Sequence, residues 1–272
     1  MNLSKSIELL MNLNDGTNYD KEFNHVKQGF AIEQVTANEI LNKMNKNDIY
    51  YINKKINELH NSNLYQRESR IHGKKHIENV MLFAMIISVY ENLNDEDRNL
   101  LIESAMYHDQ GRINDYDVLH GVSSAIEAKK LLSDKYNEDD LKIIQAAIIF
   151  HDDRTKGNSL KEIEDIGFSN IVDKLSIKKS DIIRARKIGD ILKDADALDR
   201  ARFNHYEIPI DIRYLRTNIS RQMVKLAMEL HEAYSLDELN EYIKENENLK
   251  EEILEQLNKR SPIRVKKHYL KK

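Results

Sequence analysis

Three of the ten histidines in this 272-residue chain fall where a helix should carry an apolar residue. His76 is followed by Val80, Phe83, Ala84 and Ile87, at helical spacings that put its ring on the apolar face. Leu101, Ala105 and His108 make a second such stripe, and Leu141, Ile144, Ile148 and His151 a third. A fourth, Ile188, Leu192, Asp196 and Asp199, ends in two carboxylates. Burying an imidazole or a carboxylate without a partner is costly. One such histidine reads as a satisfied core residue, and one such aspartate as a helix cap. Four stripes that each end this way have a common cause in a shared cation, which compensates buried carboxylates and imidazole lone pairs together.

The elements that must position these groups read as helices almost throughout. Proline occurs only at Pro209 and Pro262, glycine eight times, and β-type alternation is hard to find. Helix-like stretches lie near Lys5–Leu13, Glu22–Met44 and Asp48–His60, with polar breaks at Asn45–Asp48 and Asn61–Ser69. Further helices are expected near His76–Tyr90, Asp95–His108, Val122–Leu132, Glu138–His151 and Ser180–Leu198, joined by connections such as Gln110–His120 and Asp152–Asn158. Two more follow Pro209, near Asn218–Tyr234 and Leu236–Lys259, before a basic tail, SPIRVKKHYLKK.

Composition narrows the chemistry. With no cysteine, there are no disulfides, thiolate metal sites or thiol nucleophiles, so any metal must be held by His, Asp and Glu. A net charge of −4 argues against bulk nucleic-acid binding. The longest apolar run, Val80–Tyr90, is too short to cross a bilayer and reads as a buried helix. The N-terminal MNLSKSIELLMNLNDG has no apolar signal region with a cleavage site, so a cytoplasmic location is expected. Neither a GxGxxG nor a GxxxxGK[ST] phosphate loop is present, nor a Gly-x-Ser-x-Gly elbow.

Taken in order, the pieces HIENV (His76–Val80), YHDQGR (Tyr107–Arg112), HG (His120–Gly121), FHDD (Phe150–Asp153) and KDADALD (Lys193–Asp199) resemble the HD-domain superfamily of metal-dependent phosphohydrolases. The resemblance covers roughly residues 66–206. It implies an all-α fold: a multi-helix catalytic core over 66–206, a helical extension over 1–65 and another over 207–272, together one compact unit. It implies that His76, His108, Asp109 and Asp196 ligate metal, with Asp109 bridging if two ions bind. His72 is a rival to His76, and Asp194 to Asp196. His120 and His151 match the extra ligands of the two-metal branch, so a binuclear site is expected, filled by one or two divalent ions. Manganese or iron is favoured; Mg, Co, Ni and Zn also suit such ligands.

The implied reaction is hydrolysis of a phosphate ester of a nucleotide or nucleotide-like small molecule by a metal-activated water, with Asp109, Arg112 and His120 as the catalytic groups. Arg112 stands where the family's compact signature carries lysine. Arginine cannot release a proton, so it would grip a phosphate oxygen instead, leaving protonation of the leaving group to His120, Asp153 or water. Asp115 and Asp117 could orient His120. Arg200 and Arg202, close to Asp196, are candidates for binding substrate phosphate, and the many arginines favour a small anionic partner. Membrane and strong nucleic-acid partners are not expected, while the extensions leave room for a homo-oligomer. Two other readings share the ligand set: a mixed-valence di-iron oxygenase, and a helical binding module with a structural metal.

Overall fold

The structure, a computed structural model, describes residues 2–13, 32–66, 69, 71–117, 120–153, 160–206, 210–246 and 251. Its contacts divide the chain into two compact units, Met1–Leu230 and His231–Lys272, and the first holds every group of the site described below. Eleven α-helices and no β-strand occur among the described residues, as the scarcity of proline and glycine predicts. The N-terminal helices are α1 (Lys5–Asn12), α2 (Ala37–Lys43) and α3 (Lys46–Asn61). The middle of the chain forms α4 (Lys74–Tyr90), α5 (Asp95–Tyr107), α6 (His120–Leu132), α7 (Glu138–His151), α8 (Leu160–Leu175) and α9 (Ile182–Asp199). A 3-10 segment, Arg200–Tyr206, continues α9, and α10 (Asn218–Gln222) and α11 (Val224–Glu245) follow.

Helix starts are written in local chemistry. Thr36 and Asn45 close capping boxes with Glu39 and Asp48, and the Asn94 and Asn137 side chains accept the Asp97 and Asp140 amides. Packing does the rest. Every residue of α4 from His76 to Val89 is buried, so this largely apolar helix is covered on all sides and runs through the centre. It is packed by α3, α5 and α9, with α1, α2 and α10 completing its cover. Behind it, α7 is enclosed by α5, α6, α8 and α9.

Three expectations change. The helix expected over Glu22–Met44 is not helical at 32–36 and begins only at Ala37, behind the Thr36 cap. Leu160–Leu175 is a helix that the sequence pattern does not announce, because Gly167, Ser169 and Asn170 weaken its propensity. Tertiary contact decides it: Phe168 and Ile171 are buried, and the Phe168 ring meets Phe150 of α7 edge-on at 5.1 Å. The helix expected to stop near Tyr234 instead runs on through Ser235, whose hydroxyl donates to the His231 carbonyl one turn back. Residues 22–31 of the second expected helix, 247–250 and 252–259 of the last one, Pro209, Pro262 and the basic tail lie outside the described residues.

The close approach of α7 and α9 requires Gly189. A Cβ there would stand 2.9 Å from Phe150 Cδ1 and 3.7 Å from Ala147 Cα. Gly189→Val should therefore force the two helices apart and cost about 1–3 kcal/mol. Thermal or urea unfolding measures this, and a variant as stable as the parent would show that the contact is not tight.

Candidate metal centre

The helix ends meet at one point. His76 sits in the first turn of α4, His108 caps the C-terminus of α5, His120 begins α6, His151 ends α7 and Asp196 lies in the last turn of α9. Asp109, buried, is at the centre. Its Oδ1 lies 2.8 Å from His120 Nε2, 3.8 Å from His151 Nε2 and 3.8 Å from His108 Nε2. Its Oδ2 lies 3.6 Å from His76 Nε2. Asp196 Oδ1 stands 3.4 Å from His76 Nε2 and 3.9 Å from His108 Nε2. The six residues singled out as ligands from the sequence are thus brought together. Three sets of donors in this region lie close enough to hold an ion: His76, His108 and Asp196; His108, Asp109 and His151; and His72, His76 and Asp109.

The hydrogen-bond network assigns each imidazole its tautomer. His76 Nδ1 donates to Asp199 Oδ2 at 2.7 Å, and His108 Nδ1 to the Ala105 carbonyl at 2.8 Å. His120 Nδ1 donates to the Asp117 carbonyl at 3.1 Å, with Asp152 Oδ2 at 3.3 Å, and His151 Nδ1 donates to the Ile148 carbonyl. With the Nδ1 protons committed, the Nε2 lone pairs point inward. His76 Nε2 faces His108 Nε2 at 3.2 Å, and His120 Nε2 faces His151 Nε2 at 3.0 Å.

Electrostatics sharpens the first pair. Burial, reinforced by Arg202, holds the His76 imidazole well below its ordinary value, and burial pushes His108 down to about 4. Both rings are therefore neutral near pH 7, with no proton to share across 3.2 Å. Burial would raise the Asp109 carboxyl, yet His108, His120, His151 and His72 around it hold it well below the usual carboxylate range. Burial would likewise raise Asp196, but His76, His108 and Arg202 bring it down to about 2. Burial pushes the His151 imidazole down, but its contact with Asp109 outweighs this and raises it, so it is His76 and His108 that stand neutral beside ionised carboxylates, the protonation states in which a divalent cation is ligated. The donor set fits such an ion, and the opposed Nε2 atoms of His76 and His108 have no proton to share between them.

Several positions do something other than the sequence suggests. His72 is not an alternative to His76: both rings reach Asp109, with His72 Nδ1 at 2.8 Å from Oδ2. Asp194 is spent elsewhere, accepting from the Arg216 and Thr217 amides and the Thr217 and Ser220 hydroxyls. It is the Asp117 carbonyl, together with Asp152, that orients His120, while Asp115 accepts from Ser69 Oγ at 2.7 Å. Arg112 is tied into the cluster: Nε lies 3.0 Å from Asp109 Oδ2, Nη1 donates to the Asp117 carbonyl and Nη2 to His120 Nε2. Arg202 donates to Asp199 Oδ2 at 2.9 Å and lies over the Phe203 ring. Asp199 thus gathers His76, Arg202 and Asn79 Nδ2. Its place on the α9 stripe was visible in the sequence, but its bonding partner was not. Gly111 was legible only as part of YHDQGR; a Cβ there would meet the backbone of Ser123 and Ser124 at 2.4 and 2.3 Å, so the loop after Asp109 can lie against the start of α6 only with glycine.

The cluster opens at Asp196, whose side chain is 34% exposed, whereas those of His76, His108 and Asp109 are at most 2%. There it borders a cavity of about 490 Å³ whose wall includes His151, Lys193, Asp196, Arg200, Tyr214 and Arg216. Burial brings the Lys193 ammonium down to about 8, with Arg216 adding to the shift.

Residues 74–201 match the family model of the HD domain, a kind of domain typical of metal-dependent hydrolases. No curated protein and no solved structure matches the chain. Among the described residues no helix is long and apolar enough to cross a membrane.

If Asp199 holds His76 in its ligating tautomer, Asp199→Asn should weaken divalent-metal binding by about 10–100-fold. Competition against a chelating dye measures it, and unchanged affinity would remove the anchoring role.

Proposed function

We propose that this chain is a metal-dependent phosphohydrolase that cleaves a phosphate ester of a nucleotide or nucleotide-like small molecule. The observation that carries the reading is the pair of neutral imidazoles, His76 and His108, facing each other at 3.2 Å beside the ionised Asp109, at the edge of a cation-lined cavity. His76, His108, Asp109 and Asp196 would hold one divalent ion, and Asp109, His120 and His151 a second, with Asp109 shared. Manganese or iron suits this sulfur-free set best in the light of the family resemblance. Bound there, the ions would supply a water activated as nucleophile and positive charge against the phosphoryl oxygens.

The chain's own groups account for the rest. Asp199, Ala105, Asp117 and Ile148 hold the Nδ1 protons, so the rings cannot turn away from the centre. Arg112 contributes a charge that stays fixed through the reaction, because a guanidinium does not release its proton. Its contacts to Asp109 and His120 would keep that charge beside the metal cluster. Arg200 is exposed on the cavity wall, away from the metal cluster. Tyr214, half exposed at the same wall, offers a ring face on which a base can stack.

With Mn²⁺ present, the protein should release phosphate or nitrophenol from members of a panel of nucleotides and p-nitrophenyl esters. Asp109→Ala should lower the rate by at least about a hundredfold, the scale of losing one principal electrostatic group. Hydrolysis that survives this substitution sinks the mechanism. Oxygen uptake by the iron-loaded protein without hydrolysis would assign the site to oxygenase chemistry instead.

A further inference from the structure

The cations of the cavity differ in how they are compensated. Arg216 is ringed by Glu164, Asp190 and Asp194, and Arg213 is paired with Asp211 at 2.6 Å. Arg202, behind the metal cluster, is held by Asp199. Lys193 and Arg200 pair with no carboxylate among the described residues. Lys193 is the more telling of the two. Its stem is half-buried, and its Nζ sits 3.9 Å from the centroid of the Phe150 ring, a contact that offsets only part of the cost of desolvating an ammonium. Glu164, Asp153 and Asp190 act on Lys193 only from beyond ion-pair distance, so a half-buried cation that lines the cavity with no direct ion pair is placed to receive an anion.

Their placement on α9 and its cap says which part of a ligand they would meet. Lys193, Asp196, Ala197 and Arg200 share one helical stripe and all line the cavity. Asp196 lies at the edge of the metal cluster. Lys193 stands about one turn before it and Arg200 about one turn after, so the two span roughly 10 Å along the helix. A phosphate held at the cluster is therefore flanked by two further positive charges along the cavity wall, beyond reach of the reacting atoms.

We propose that Lys193 and Arg200 form a clamp for a second anionic group of the substrate, so that the preferred substrate carries a diphosphate or longer polyphosphate rather than an isolated phosphate. This rests on the phosphohydrolase reading above and narrows it. The clamp is a binding device: it holds the non-reacting phosphate and presents the ester to the metal end of the cavity.

Calorimetry on the Mn²⁺-loaded protein tests it, with imidodiphosphate, which resists hydrolysis, as the two-phosphate probe and orthophosphate as the one-phosphate probe. Wild type should bind imidodiphosphate the more tightly. Lys193→Met keeps the apolar stem over Phe150, and Arg200→Gln changes an exposed side chain. Each should weaken imidodiphosphate binding by about tenfold or more, as expected for losing a charge-assisted contact, and leave orthophosphate within about twofold. Should Lys193→Met fail to fold, Arg200→Gln alone decides. The clamp is overturned if the folded variants bind imidodiphosphate like wild type, or if both probes weaken together. If no phosphoester is hydrolysed but the selective loss is seen, the clamp stands and the assigned reaction falls. Hydrolysis that proceeds with no selective loss has the opposite meaning.

Discussion

The arrangement depends on where four imidazoles keep their protons. Each ring donates Nδ1–H to an oxygen supplied by the surrounding protein: the Asp199 carboxylate for His76, and the carbonyls of Ala105, Asp117 and Ile148 for His108, His120 and His151. Three of these acceptors lie three residues before the histidine that donates to them, so the end of the helix or turn that carries the ring also sets its tautomer. Only His76, in the first turn of α4, has no carbonyl to use, and a carboxylate from the end of α9 takes that place. Once the Nδ1 protons are fixed, the Nε2 atoms must face inward, and the 3.2 Å approach of His76 and His108 is unfavourable until positive charge stands between them.

The fold serves this convergence. A helix terminus is where a side chain can leave the core stripe yet stay buried, and the five helices α4, α5, α6, α7 and α9 all bring an end to the same place. Close packing keeps the ends there. Gly189 lets α9 lie against α7, and Gly111 lets the loop after Asp109 lie against α6. The buried carboxylates are balanced locally as well, Asp109 by Arg112 and Asp199 by Arg202. Two arginines that look from the sequence like substrate contacts therefore also hold the cluster together, and the cavity cations with no ion pair among the described residues are Lys193 and Arg200.

Much of this was legible in the sequence because helical burial is periodic. His76, His108, His151 and Asp196 each replaced an apolar residue on a stripe, and a polar group in such a place needs a partner. The all-helical fold followed from the same periodicity and the shortage of helix breakers. What escaped was pairwise and long-range. That Asp199 would bond His76 from 123 residues away, that His72 would join His76 instead of replacing it, and that Asp194 would be used up on the turn before α10 are matters of three-dimensional packing. Lys193 lies within a recognisable motif, yet that it lines the cavity with no direct ion pair among the described residues appears only when its neighbours are known. The helix α8 was hidden because its polar and glycine residues mask a face that α7 covers.

The account stands or falls on the cage of imidazoles around Asp109 being a cation site. The most direct measurement is the metal content, by elemental analysis, of protein purified without added metal and then dialysed against Mn²⁺ or Fe²⁺, compared with Asp109→Ala prepared in parallel. The account predicts two ions per wild-type chain and a marked loss in the variant. A wild-type protein that holds no more metal than Asp109→Ala would contradict it.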